Sequence, residues 1–215
     1  MPFVLPEGLA PEVYPLAWLV GEWRGTGVVD YPGIPQAPFT AHLTVTNDGG
    51  PYLAYAATLR LVRGPDEAAA DEAAADEAAP AAADDAAPDD AAPDDAAPDA
   101  AAAAAAPGPV WADERGYWRI PPDRPDDLPA NRHPVELLIA DPSGHVAVYV
   151  GAVGDGRIDL VSDLVARTAT GAEVTAGRRL YGLVGGELMW VHELAAFGHP
   201  LQPYTSARLT RVDVS

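Results

Sequence analysis

The 215-residue chain sets 13 Lys and Arg against 32 Asp and Glu, a formal charge of −19. That balance excludes nucleic acid and anionic membranes as partners, because both need a basic face. Cysteine is absent, which rules out disulfides, cysteine nucleophiles and thiolate-held zinc or haem.

The chain opens on "MPFVLPEGLAPEVYPLAWLVGEW", which has no basic head and carries Pro and Glu early. It does not read as a signal peptide. No apolar run approaches the roughly 18 residues that span a bilayer, so the expected location is the cytoplasm. "APEVYPLAWLV" predicts a short helical turn, placed where it can plug one end of a barrel.

Beyond this turn the chain reads as strands. "EWRGTGVVDY" is the first. "FTAHLTVT" is the second, with Phe39, Ala41, Leu43 and Val45 on one face and Thr40, His42, Thr44 and Thr46 on the other. After "NDGGP" comes "YLAYAATLRLV", in which Leu53, Tyr55, Ala57, Leu59 and Leu61 alternate. The residues 66–106 then contain only Asp, Glu, Ala and Pro. Thirteen of the acidic residues lie there, leaving 19 against 13 basic ones in the rest of the chain. With no Leu, Ile, Val or aromatic residue this tract cannot bury enough surface to offset chain ordering. Pro every five residues in its second half also stops helix. It is expected to be a disordered acidic insertion within a single domain spanning 1–215, tolerated because closure entropy grows only logarithmically with loop length.

Seven more strands complete the chain: "VWADERGYWRI", "VELLIA", "HVAVYVGAV", "RIDLVSDLV", "EVTAGRRLYGLV", "ELMWVHELAA" and "YTSARLTRV". Nearly all are joined by tight Gly- or Asp-containing turns. The expected fold is all-β, an antiparallel up-and-down barrel of about ten strands with a short N-terminal helical turn. Closure removes exposed edges, and a barrel of this size can enclose a small ligand. A two-sheet sandwich competes, but the uniform spacing favours the barrel.

"GEWRGTG" places Gly21, Gly25 and Gly27 around Trp23. Glycine in a first strand permits close backbone approach or a barrel corner, and Trp23 can cover the barrel floor. Together with "PLAWLVGEWRGTGVVDYPGI" and "MWVHELAAFGHPLQPYTSARLTRV", the motif resembles the nitrobindin family. These are ten-stranded barrels similar to fatty-acid-binding proteins. They hold ferric haem in the barrel mouth and are described as handling nitric oxide and peroxynitrite. The resemblance covers both ends and, more weakly, the middle, leaving out the acidic tract. It implies a haem-associated role for Gly21, Trp23, Gly25 and Gly27, haem b as cofactor, and a small apolar or haem-like ligand as partner.

Three departures bear on function. "YPGI" puts Gly33 where the family has Thr. The second strand lacks the family's aromatic-acidic start. In "GHPLQPY", Tyr204 stands at the position of the family's axial His, while His199 falls in the turn five residues upstream.

Tyrosinate ligates ferric haem, but the anion needs a cation or the iron itself to form. On simple alternation Arg208, about 13–14 Å along the same face, is the nearest cation. The expectation is therefore a nitrobindin-like barrel without the family's usual haem bond, with no catalytic residue and no assigned metal ligand. The alternative is a ferric haem protein, a peroxynitrite isomerase by resemblance, using Tyr204 or another residue.

His192 shares a face with Leu188, Trp190 and Leu194 and is read as an interior, hydrogen-bonded His that offers a second iron ligand. His199 is read as exposed, His42 and His145 as surface residues and His133 as a loop residue. Asp159 and Asp163 are read as solvated exterior charges. No Gly-x-Ser-x-Gly elbow, His-Glu-x-x-His pair or phosphate-cradling loop occurs.

Overall fold

The computed structural model describes residues 6–63 and 108–212; the 66–106 insertion, expected to be disordered, lies outside them. A 3₁₀ helix (Pro11–Leu19) precedes ten strands. They are β1 (Gly21–Tyr31), β2 (Ile34–Thr46), β3 (Tyr52–Leu61), β4 (Val110–Arg119), β5 (His133–Asp141), β6 (His145–Gly154), β7 (Arg157–Arg167), β8 (Val174–Val184), β9 (Glu187–Ala196) and β10 (Gln202–Arg211). Each pairs antiparallel with its chain neighbour, and β1 pairs with β10, so the sheet closes. The sandwich alternative is excluded.

Two readings need adjustment. β2 begins at Ile34, earlier than the expected Phe39, because Ala37 and Pro38 already pair with β1. His133 opens β5 rather than sitting in a loop.

The barrel has a filled half and a hollow half. At one end Val13, Leu16, Ala17 and Leu19 of the 3₁₀ helix are buried against Trp23, Val45, Leu53 and Trp118. Pro15 inside the helix suits its short 3₁₀ form. Trp23 donates from Nε1 to the Leu19 carbonyl at 2.9 Å. The Arg211 guanidinium lies 4.1 Å over the Trp23 ring and donates to the Trp18 and Val20 carbonyls. Trp23 therefore does cover the floor, with Arg211 fastening the helix over it.

Gly25 explains why the motif needs glycine. A Cβ there would lie 2.0 Å from the Arg208 carbonyl oxygen on β10, so the closing strand can approach only if that side chain is missing. In the β1–β2 turn Gly33 has φ 82°, a left-handed conformation that threonine adopts poorly.

Gly25→Ala is expected to cost about 1–3 kcal/mol by forcing β1 and β10 apart, read as a lowered urea midpoint with an unchanged m-value.

Candidate functional site

The hollow half contains a cavity of about 560 Å³, within the range of small-ligand sites. Its walls include Ile34, Ile139, Ala147, Val165, Val174 and Leu194, and its polar groups include Glu114, Arg179, Tyr149, His192, Tyr204 and Trp111.

A buried ion pair spans the interior beneath it. Glu114 on β4 and Arg179 on β8 are four strands apart around the barrel, yet their side chains meet through two bonds of 2.5 and 2.9 Å. The side chains are only 12% and 3% exposed. Alternation explains their direction. Glu114 shares a face with buried Trp118, and Arg179 shares one with buried Tyr181. Tyr55 donates to Glu114 at 2.9 Å, and Arg179 donates to the Tyr181 hydroxyl at 3.3 Å. The guanidinium also lies 5.1 Å over the Tyr149 ring. Burial alone would lower the Arg179 pKa, but the Glu114 carboxylate outweighs it and holds the group firmly protonated. Burial, then the nearby Glu114 charge, pushes the Tyr55 phenol well above its ordinary range.

Two strand irregularities shape the mouth. Between β9 and β10 the register steps from Pro203↔Glu193 to Thr205↔His192, leaving Tyr204 as an extra residue. Between β3 and β4 it steps from Leu59↔Ala112 to Arg60↔Val110, leaving Trp111 extra. Bulges re-aim side chains. Here they add Tyr204 to the inward series Thr205, Ala207 and Leu209, and Trp111 to the inward series that holds Glu114. The two meet inside, with Trp111 Nε1 donating to the Tyr204 hydroxyl at 2.7 Å.

This corrects the sequence reading of Tyr204. It does not share a face with Arg208, which is exposed and paired with Glu187 on the outer surface. Burial raises the Tyr204 pKa from 10.0 to about 12, against the opposing effect of the Trp111 bond. At neutral pH it is a phenol, not a phenolate.

His192 is buried on the cavity wall, with its ring centroid 5.6 Å from that of Tyr204 and its Nε2 3.4 Å from the Tyr149 hydroxyl. Burial first, then Arg179, depresses its pKa well below 6.5, so the imidazole is neutral. Tyr31 closes the rim where β10 begins. Its hydroxyl accepts from Ala196 N at 2.9 Å and lies 3.2 Å from the Ala196 carbonyl, tying β1 to β9.

His145 is not the surface residue expected. Its side chain is 13% exposed and lines the cavity, donating from Nε2 to the Ala172 carbonyl at 2.8 Å while Nδ1 lies 3.0 Å from the Ser143 hydroxyl. It opens β6 two residues before buried Ala147 and four before buried Tyr149, so strand alternation itself points it inward.

His199 and His42 are exposed as expected. Asp159 lies on the outer face, paired with Arg157 and Arg132, and Asp163 is exposed. Gly21, Trp23, Gly25 and Gly27 do not line the cavity. They belong to the plugged half, so the structure does not bring them together with Tyr204. Among the described residues no three His, Asp or Glu side chains gather as a metal site, and no helix is long and apolar enough to cross a membrane.

Residues 12–211 match the family described as "THAP4-like, heme-binding beta-barrel domain". A "Ferric nitrobindin-like protein" of Beutenbergia cavernae is 45% identical, over 99% of this chain and all of the relative. The chain belongs to the nitrobindin family. A "Peroxynitrite isomerase" of Nocardioides sp. is 34% identical over 98% of this chain and 99% of its own. Among solved structures, the crystal structure of Rv2717c from M. tuberculosis superposes with a TM-score of 0.65 at 26% identity, covering 95% of this chain and 99% of that one.

The polar interior is open to two measurements. Glu114→Ala strands the Arg179 charge in the barrel and is expected to cost about 3–5 kcal/mol, measured by urea unfolding. A Glu114→Met/Arg179→Met double variant recovers most of that loss, because neither charge is left buried alone. His192 has a folded pKa below its unfolded value of 6.5, so its contribution to stability is full above pH 6.5 and is lost as pH falls toward the folded value. Unfolding of His192→Gln is therefore expected to show a shallower loss of stability than wild type between pH 6.5 and the acid limb.

Proposed function

We propose that this nitrobindin-family barrel is a small-molecule binding protein that does not hold haem through the family's axial position. The observation that carries this reading is the bond from Trp111 to Tyr204. The group at the axial position is a partly buried neutral phenol with its oxygen already engaged, whereas ferric iron needs a phenolate. The residues present do not fit iron at that position. The apolar walls of the cavity support a ligand with a largely apolar body.

A second reading has one observation in its favour. His192 is a neutral imidazole on the cavity wall, the form in which histidine ligates metals. The similarity to a relative named as a peroxynitrite isomerase accords with a ferric haem protein of that activity using His192.

Titration of the full-length protein with ferric haem, followed by the Soret band, separates the two. The first reading expects no sharp stoichiometric band in the wild type and a new one in Tyr204→His. A stoichiometric band abolished by Tyr204→Phe would overturn it. A band that survives Tyr204→Phe and disappears in His192→Ala supports the second reading.

A further inference from the structure

The bond between Trp111 and Tyr204 has a direction, and the direction has a chemical consequence. An indole N–H can only donate, so the Tyr204 oxygen is the acceptor at 2.7 Å. The phenol's own O–H must then find an acceptor elsewhere, and among the described residues it has none. That hydroxyl stands on the lining of the cavity. With its oxygen accepting from Trp111, the phenol keeps its O–H as the group it can donate to a guest.

The surroundings define the guest. The rings of Tyr31 and His192 stand edge-on to Tyr204, with centroids 5.9 and 5.6 Å away, and give aromatic walls beside the hydroxyl. Beyond them lie Ile139, Ala147, Val165 and Leu194. The lining carries Glu114 and Asp141, with Arg179 as the cation, and Arg179 is already held by Glu114. An anion entering this space meets carboxylates without a cation released to receive it, in surroundings that screen charge poorly.

We propose that Tyr204 anchors, through its O–H, a small uncharged molecule that presents an oxygen acceptor on an apolar, aromatic body, and that Trp111 fixes this polarity by occupying the phenol oxygen. Tyr204 is the binding group and Trp111 a positioning residue. The inference rests on the reading that Tyr204 is not bonded to iron.

The test uses four matched probes with the full-length protein, titrated by calorimetry. Benzophenone offers an uncharged acceptor, diphenylmethane none, diphenylacetate an anionic acceptor and diphenylamine a donor. Benzophenone is expected to bind roughly fivefold or more tighter than each of the others, the worth of one net hydrogen bond. Tyr204→Phe, which keeps the ring and deletes the hydroxyl, brings benzophenone down to the level of diphenylmethane and leaves diphenylmethane unchanged. Trp111→Phe frees the phenol oxygen to accept, so diphenylamine gains on benzophenone, a change of preference that loss of packing alone would not produce. The proposal is overturned if benzophenone and diphenylmethane bind alike, if Tyr204→Phe leaves benzophenone unaffected, if diphenylacetate binds best, or if no probe binds. None of those results touches the reading on haem. A stoichiometric Soret band that depends on Tyr204 and excludes benzophenone would instead overturn that underlying reading.

Discussion

The interior of this barrel is organised by one ion pair. Arg179 and Glu114 reach toward each other from strands on opposite parts of the wall and divide the inside in two. On one side Trp23, Trp118, Tyr181 and the helix residues fill the space. On the other the walls are left apart and the cavity remains. Replacing such a pair by apolar side chains is often no loss of stability, so stability alone does not account for it. What it supplies here is a polar floor at a set depth, with Tyr55, Tyr149 and Tyr181 gathered around the two charges. The pair also leaves the cavity little appetite for anions, since the positive charge within it is already taken.

Much of this architecture was legible in the sequence. Period-two alternation with glycine- or aspartate-bearing turns predicts the ten strands, and the absence of any long apolar helix between them predicts an antiparallel meander. The plug was legible because "PEVYPLAWLV" is the one helical candidate and precedes the first strand. The charged floor left a signal as well. Alternation puts Glu114 on the face of Trp118 and Arg179 on the face of Tyr181, so two charges sharing faces with large aromatics point to an interior pair. The pairing itself stayed hidden, because neither strand alone says which strand faces it across the barrel.

What alternation could not carry was the mouth. A bulge is one extra residue, and a sequence does not mark which residue is extra. Counting in twos therefore put Tyr204 on the same face as Arg208, when the extra residue at Tyr204 separates the two. The same limit hid Trp111 as its partner. His145, by contrast, was legible, since it lies two residues before Ala147 and four before Tyr149 on the inward face of β6. The early start of β2 was obscured by Pro35 and Pro38, since proline is disfavoured within strands, although Pro38 pairs with Val28 in the closed sheet.

The two bulges also give the molecule a particular kind of evolvability. Trp111 and Tyr204 are supernumerary to the ladders that hold the wall together, so their identities are decoupled from strand pairing. Substitution at either position can change what stands at the entrance while the staves of the barrel keep their registration. A change of side chain at either of these facing positions leaves the surrounding scaffold as it is.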